Sequence, residues 1–211
     1  MLVDSGVHRL GFPLGLDVRR EDLPEAEAAS VIRTAGLGAR AWLITYLDHP
    51  LSVAALCDRL GCAGVQLHGP VDQHRVAGLR ELRPGLQVIK SLIIRKGNLP
   101  ELEAGVAAFV PYVNGFITDT FDPATGASGA TGKTHDWTIS RRLVELSPRP
   151  VILAGGLTPE NVASAIGTVR PAGVDAHTGV EDANGRKDPD RVRAFVSEAG
   201  KAFAALTGPP G

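Results

Sequence analysis

Residues 151–162 read VILAGGLTPENV, and this stretch predicts the fold. Apolar residues run into Gly155–Gly156, where glycine lets the backbone approach a ligand closely. Thr158 and Pro159 follow as helix start signals, with threonine as the N-cap and proline at the first helical position. This order of strand, glycine loop and helix predicts one βα unit of a parallel α/β fold.

The same order repeats along the chain. Short apolar stretches that end in Gly, Pro or Asp alternate with segments of helical periodicity. Short, continuously apolar strands are typical of a parallel sheet that is buried on both faces. The predicted strands are 8–14, 39–47, 64–69, 87–94, 115–120, 151–157 and 173–180, and the predicted helices are 24–35, 50–60, 71–82, 98–110, 137–147, 159–168 and 189–206.

Two architectures fit such a sheet, a doubly wound open sheet and a closed (βα)8 barrel. The fingerprint GxGxxG of dinucleotide-binding sheets is absent after the first strand. Polar residues and glycines collect where the strands end, which are the positions that line the active face of a barrel. We therefore predict an α/β (βα)8 TIM barrel. Seven strands are visible, so we expect the first βα unit to be missing.

The domain organisation follows from this count. We expect residues 1–211 to form a single barrel domain. Residues 1–7 would be the tail of the missing unit, and 207–211 a flexible C-terminus. A barrel without one strand would expose sheet edges that invite pairing with another chain. A monomer, a dimer (a homo-oligomer of this chain) and an unstable fragment are all compatible with the sequence.

The charge balance, the apolar runs and the cysteine count indicate which classes of partner the protein lacks. The 22 Lys and Arg residues against 23 Asp and Glu residues give a net charge of −1, so no strong field draws the chain to nucleic acid or membrane. We find neither an apolar run of membrane-spanning length nor a signal peptide. Cys57 and Cys62 are too few for a disulfide scaffold, and we expect small, buried, reduced side chains. The sequence therefore predicts a cytoplasmic protein that binds neither nucleic acid nor membrane.

A second glycine-containing loop follows the last strand, in GVDAHTGVE (173–181). Backbone N–H groups exposed beside a short helical turn bind anions. Barrels commonly bind a substrate phosphate between the loops that follow strands seven and eight. We therefore predict a phosphate site formed by this loop and Gly155–Gly156. The alternative is that these glycines only serve tight turns.

Other polar side chains stand at strand ends. Asp119 ends an apolar strand, where a carboxylate is costly without a partner or a task. It is either a structural hydrogen-bonding group or a general acid or base. Lys90 is more often a charge partner for a carboxylate or phosphate in such a position than a Schiff-base lysine. His68 and His177 have no local ligand spacing, so we predict no metal site.

Several motifs together resemble those of the phosphoribosylanthranilate isomerase family, and the resemblance covers most of the chain. The last three motifs occur in the order and spacing of the family. The motifs are LGF (10–12), VQLHG (65–69), VIKSL (88–92), ITD (117–119), GATGKTHDW (129–137), ILAGGLTPENV (152–162) and GVDAHTGVE with GRKD (173–188).

The resemblance implies an Amadori rearrangement of N-(5-phosphoribosyl)anthranilate, an aldose–ketose isomerisation without a cofactor. The family's general acid, the aspartate that ends the sixth strand, maps onto Asp119. An arginine that faces the anthranilate maps onto Arg20, and His68 and Lys90 are expected to bind the phosphorylated sugar substrate. The family holds the phosphate with backbone that maps onto Gly155, Gly156, Thr178, Gly179 and Val180.

The chain also departs from the family pattern. The family's general base is a cysteine in a KICG motif on the first strand, and neither Cys57 nor Cys62 matches it. His177 stands where the family has serine, and an imidazole there could replace the base or favour another acidic substrate. If the 211 residues are the complete chain, we expect weak or no isomerase activity. The alternative is a paralogous barrel that acts on, or merely binds, another phosphorylated metabolite.

Overall fold

A computed structural model describes residues 1–16, 22–122, 127–129 and 132–207. The described residues form an α/β fold of alternating strands and helices. The strands are β1 (Leu10–Pro13), β2 (Ala41–Thr45), β3 (Gly64–Leu67), β4 (Gln87–Ile94), β5 (Gly115–Asp122), β6 (Ala127–Ser128), β7 (Val151–Leu153) and β8 (Gly173–Val174).

Among the described residues, seven α-helices alternate with the parallel strands, and one 3-10 turn (Thr178–Val180) follows β8. Within the described part of the chain, no helix is both long and apolar enough to cross a membrane. The helices are α1 (Glu25–Thr34), α2 (Pro50–Leu60), α3 (Gln73–Leu82), α4 (Leu99–Phe109), α5 (Trp137–Leu146), α6 (Val162–Val169) and α7 (Pro189–Thr207).

The residues fall into two compact units. The N-terminal unit comprises His8–Ser91 and Ala108–Gly115. Its strands pair in the order β1-β2-β3-β4, all parallel, with Leu43 opposite Val65 and Val65 opposite Val88. These three side chains are fully buried. The apolar runs read from the sequence therefore form a parallel sheet in this unit.

The C-terminal unit comprises Met1–Val7, Leu92–Ala107 and Phe116–Gly211. Its parallel strands pair in the order β5-β7-β8, and β6 pairs with β5 in the antiparallel direction. Its aliphatic core lies around α6 and α7 and includes Leu153, Leu157, Ile166, Val180 and Phe195. The two glycine loops leave the sheet next to this core, because Leu157 and Val180 belong to them.

The seven predicted parallel strands are confirmed, but the last two units differ in detail from the prediction. Helix α6 begins at Val162 rather than at Pro159. Its N-cap is Asn161, and Thr158 Oγ1 accepts the N–H of Glu160 in the turn that precedes the helix. The last strand is only two residues long, since the 3-10 turn starts soon after it. The extent of the barrel domain, with 1–7 as the tail of an earlier unit, stays a prediction.

Candidate active site at the ends of β5, β7 and β8

Two aspartates leave the sheet of the C-terminal unit at the same level. Thr118 pairs with Leu153, and Leu153 pairs with Val174. Asp119 and Asp175 each follow directly after these paired residues. Side chains at equal levels of parallel strands point to the same face of the sheet. The two carboxylates are therefore separated by two strand spacings, about 10 Å between the Cα atoms.

The position between the two carboxylates belongs to Ala154, which follows Leu153 in β7 and is buried. Its methyl group fills little space above the sheet. Asp119 itself is largely buried, and its Oδ1 accepts the backbone N–H of Thr120 at 2.8 Å. This bond orients one carboxylate oxygen.

Asp175 is a residue that the sequence analysis missed. Its side chain is exposed to solvent, and partial desolvation raises the pKa of its carboxyl above the usual range. His177 and Lys187 oppose this shift through their charges. The signal that could have identified Asp175 is the same one that identified Asp119, namely an aspartate at the end of an apolar strand.

His177 lies beside a partly buried ion pair. Its Nδ1 is 3.2 Å from Oε1 of Glu181, and Lys187 Nζ donates to the same oxygen at 2.5 Å. Lys187 Nζ also donates to the backbone carbonyl of His177 at 3.0 Å. The backbone of the β8 loop is thus fixed by a lysine from further along the chain. The predicted catalytic role of His177 stays a prediction.

The backbone of the β7 loop adopts the conformations that glycine favours. Gly155 and Gly156 have φ of +98° and +63°, values that other residues rarely adopt. A Cβ at Gly156 would overlap the backbone of Lys133, so the loop 132–134 packs directly on it. Among the described residues, the N–H groups of Gly155 and Gly156 donate no backbone hydrogen bond of the kind that turns and loops form. Unpaired N–H groups of this kind bind anions.

The two glycine loops lie against each other. A Cβ at Gly179 would overlap the carbonyl oxygen of Leu157. Arg191 of α7 donates from Nη2 to the carbonyl of Gly179 at 2.9 Å. Asn161 Nδ2 donates to the carbonyl of Gly156 at 2.9 Å. The sequence analysis did not identify Asn161 and Arg191, whose side chains donate to these two carbonyls.

We expect Gly179→Ala to destabilise the protein by about 1–3 kcal/mol, because its Cβ meets a backbone oxygen rather than a flexible side chain. Chemical denaturation measures the free energy of unfolding. The control is Gly200→Ala in α7, where no atom lies near the added Cβ, and alanine there should be neutral or stabilising. Equal stability of the two variants would contradict the close packing of the two loops.

His135 connects the long loop to the end of β5. Its Nδ1 is hydrogen-bonded to Thr120 Oγ1 at 2.8 Å, and its Nε2 to Ser140 Oγ at 2.6 Å. Burial lowers the pKa of His135 to about 4, against a smaller opposing effect of Asp136. The ring is therefore neutral near pH 7. A Cβ at Gly155 would contact both Thr120 and His135, so the imidazole packs against the β7 glycine loop.

The lowered pKa of His135 predicts an acid-sensitive stability. Between pH 6.5 and 4 the unfolded chain binds a proton at this imidazole that the folded chain does not, which favours unfolding by up to about 3 kcal/mol as the pH falls. We expect His135→Phe to reduce this loss. Denaturant unfolding at several pH values measures it, with His74→Phe at an exposed histidine as the control. An unchanged pH dependence in His135→Phe would contradict this assignment.

Two predicted substrate residues lie in the N-terminal unit. His68 is buried, its Nδ1 is 3.1 Å from Ser91 Oγ, and its ring lies 5.1 Å from that of Tyr46. Lys90 is buried as well, and its Nζ donates to the backbone carbonyls of Leu67, Gly69 and Ser91. Burial lowers the pKa of Lys90 to about 8. Hydrogen bonds within the unit thus fix the positions of both side chains.

Arg20, the predicted contact of the anthranilate, lies outside the described residues. Among the residues that are described, no group of three or more His, Cys, Asp or Glu side chains could hold a metal ion.

Comparison with known proteins gives one consistent family. Residues 47–198 match the family model described as N-(5'phosphoribosyl)anthranilate (PRA) isomerase. A relative, N-(5'-phosphoribosyl)anthranilate isomerase 2 of Methanosarcina mazei, is 37% identical over 205 residues, which are 96% of this chain and 89% of the relative.

Solved structures agree with the sequence match. The crystal structure of phosphoribosyl anthranilate isomerase from Thermotoga maritima is similar with a TM-score of 0.78 and 27% identity, over 95% of this chain and 91% of that one. A structure of monomers generated from the dimeric T. maritima protein is similar with a TM-score of 0.72 and 25% identity, over the same shares of both chains. With the seven parallel strands, these similarities confirm the predicted α/β barrel class.

Proposed function

The chain belongs to the N-(5'-phosphoribosyl)anthranilate isomerase family, and we propose that it catalyses the Amadori rearrangement of N-(5'-phosphoribosyl)anthranilate to the corresponding aminoketose. The observation that carries the proposal is the arrangement of Asp119 and Asp175 at one level of one sheet, with the two glycine loops following its strands β7 and β8. The rearrangement needs proton transfer at two atoms of the sugar, which two separate carboxylates can provide. Backbone N–H groups of the glycine loops can bind the phosphate of the same substrate.

In the first step, Asp119 acts as the general acid. Its carboxyl proton goes to the furanose ring oxygen while the C1–O bond breaks, and the nitrogen lone pair forms the C1=N double bond of a protonated imine. Asp119 is suited to this step because it is largely buried and held by the N–H of Thr120. A positioned acid of this kind contributes about 10²–10⁴-fold to the rate.

In the second step, we propose that Asp175 removes the C2 proton. The C2–H electron pair forms a C1=C2 double bond, and the C=N electrons return to nitrogen, which gives an enolamine that tautomerises to the 2-ketone. The raised pKa of Asp175 makes its carboxylate a stronger base than an ordinary one. This assigns a carboxylate of this chain to the task that a cysteine performs in the family pattern. His177 is the second candidate for the base.

The substrate would be held by its phosphate and its anthranilate. We propose the phosphate site at the backbone of Gly155, Gly156, Thr178, Gly179 and Val180, supported by the packing of the two loops on each other. Arg20, His68 and Lys90 remain the proposed substrate contacts, on the basis of the family resemblance. A homo-oligomer is also proposed, since the T. maritima relative is described as dimeric, and light scattering measures it.

The test is direct conversion of N-(5'-phosphoribosyl)anthranilate by the purified 211-residue chain, with the aminoketose separated by chromatography. We expect product to form in proportion to enzyme concentration, and inorganic phosphate to inhibit it competitively. Rescue of tryptophan-free growth in an isomerase-deficient host is the second measurement. The absence of product and of rescue, with a folded protein, would contradict the proposed function.

A further inference from the structure

Helix α2 ends in a turn that brings Cys57 and Cys62 together. Gly61 is left-handed, with φ of +68°, and its N–H donates to the carbonyl of Asp58 at 3.1 Å. The N–H of Cys62 donates to the carbonyl of Cys57 at 3.2 Å. This pair of bonds is the Schellman motif, in which the side chains of the first and last residues commonly form an apolar contact. In this protein those two residues are Cys57 and Cys62.

The two cysteines lie in one turn and differ in access to solvent. Cys57 is buried at 2% exposure, whereas Cys62 is partly exposed. Cys62 Sγ also lies 3.7 Å from the carbonyl oxygen of Cys57. Because the turn is fixed by backbone hydrogen bonds, the two cysteines are held next to each other. Proximity of this kind favours an intramolecular disulfide.

The surroundings make the two thiols chemically different. Interaction with the neighbouring Cys57 side chain lowers the pKa of Cys62, and backbone N–H groups of Leu43 and Gly64 contribute to the same effect. The same interaction, together with burial, raises the pKa of Cys57. A partly exposed thiol with a lowered pKa is the reactive partner in thiol–disulfide exchange. The buried Cys57 thiol beside it is shielded from solvent and can react only with a mixed disulfide that Cys62 has formed.

We propose that Cys57 and Cys62 form a redox-active dithiol that a small-molecule disulfide, such as oxidised glutathione, converts into an intramolecular disulfide. The Cys62 thiolate attacks one sulfur of the glutathione disulfide and releases one glutathione thiolate. Cys57 then loses its proton to solvent and attacks Cys62 Sγ, which breaks the mixed disulfide and releases the second glutathione. The protein loses two electrons and two protons, and the glutathione disulfide is reduced to two thiols.

The experiment treats the native chain with oxidised glutathione and follows intact mass and alkylation by iodoacetamide. We expect wild type to lose both alkylatable thiols, to become lighter by two hydrogens and to keep no glutathione. Dithiothreitol should restore both thiols. Cys57→Ser should stop at a stable glutathione adduct on Cys62, because the resolving thiol is gone. Cys62→Ser should stay unmodified on the same timescale.

Several outcomes would overturn the proposal. These are two thiols that remain alkylatable in wild type, a stable glutathione adduct in wild type, and disulfide-linked dimers on a non-reducing gel. Modification of Cys62→Ser as fast as that of Cys57→Ser would overturn the assigned roles. Because serine is polar and Cys57 is buried, Cys57→Ala is the second variant, and circular dichroism checks that each variant is folded. None of these readouts depends on isomerase activity.

Discussion

Asp119→Asn is expected to lower kcat/KM for N-(5'-phosphoribosyl)anthranilate by about 10²–10⁴-fold. The amide keeps the size of the side chain and its oxygen can still accept the N–H of Thr120, but it has no acidic proton for the ring oxygen. KM should change little, since the glycine loops that would hold the phosphate are untouched. Steady-state kinetics with variants of equal purity measures both constants.

The matched control is Asp48→Asn, which neutralises an exposed aspartate in an ion pair with Arg75. Exposed ion pairs stabilise proteins by only about 0–1 kcal/mol, so this variant should retain the activity and stability of wild type. Full activity in Asp119→Asn would remove Asp119 from the mechanism. Equal losses in Asp119→Asn and Asp48→Asn would indicate a general effect of charge rather than proton transfer.

Asp175→Asn is expected to lower kcat by a similar factor, about 10²–10⁴-fold, because the amide cannot take the C2 proton. The wild-type pH profile should also have an acidic limb. The base must be ionised, so activity rises as the pH passes upward through the raised pKa of Asp175. An ordinary aspartate titrates near pH 4, and this acidic limb should lie at a higher pH. The limb should be absent from any residual activity of Asp175→Asn.

His177→Ala separates the two candidate bases. If Asp175 is the base, His177→Ala should retain the acidic limb and most of kcat, with a change mainly in KM, because His177 lies in the β8 loop beside the proposed phosphate position. The kinetic isotope effect of deuterium at C2 of the substrate gives a second readout. It should increase in the variant that lacks the base, because C2–H cleavage is then slower. A large loss of kcat in His177→Ala with an unchanged Asp175→Asn would reverse the assignment.

Sequence patterns predicted the elements well where one local signal dominated. Strand 87–94 and helix 50–60 agree with β4 and α2 at both ends, because apolar runs, the proline start and the glycine end are all local. The predicted start of α6 was wrong, because Thr158 to Asn161 form a hydrogen-bonded turn and the regular helix begins only at Val162. The last strand was too long, because a 3-10 turn follows it directly.

The candidate site was predicted in part. Asp119 and the two glycine loops were identified, because an aspartate after an apolar strand and paired glycines are visible in the sequence itself. Asp175 was missed although it carries the same signal. His135 lies in the motif GATGKTHDW, but its hydrogen bonds to Thr120 and Ser140 join residues that are 15 and 5 positions away, and the sequence analysis gave it no role.

The sequence by itself determined the alternation of strands and helices, the parallel class of the sheet and the family. Each of these depends on periodicity or on contiguous motifs, which the order of residues contains directly. Only the tertiary structure decided that Asp119 and Asp175 share one level of the sheet and that Gly179 packs on Leu157. These relations depend on the register of paired strands, and register is set by packing between segments that are far apart in the chain.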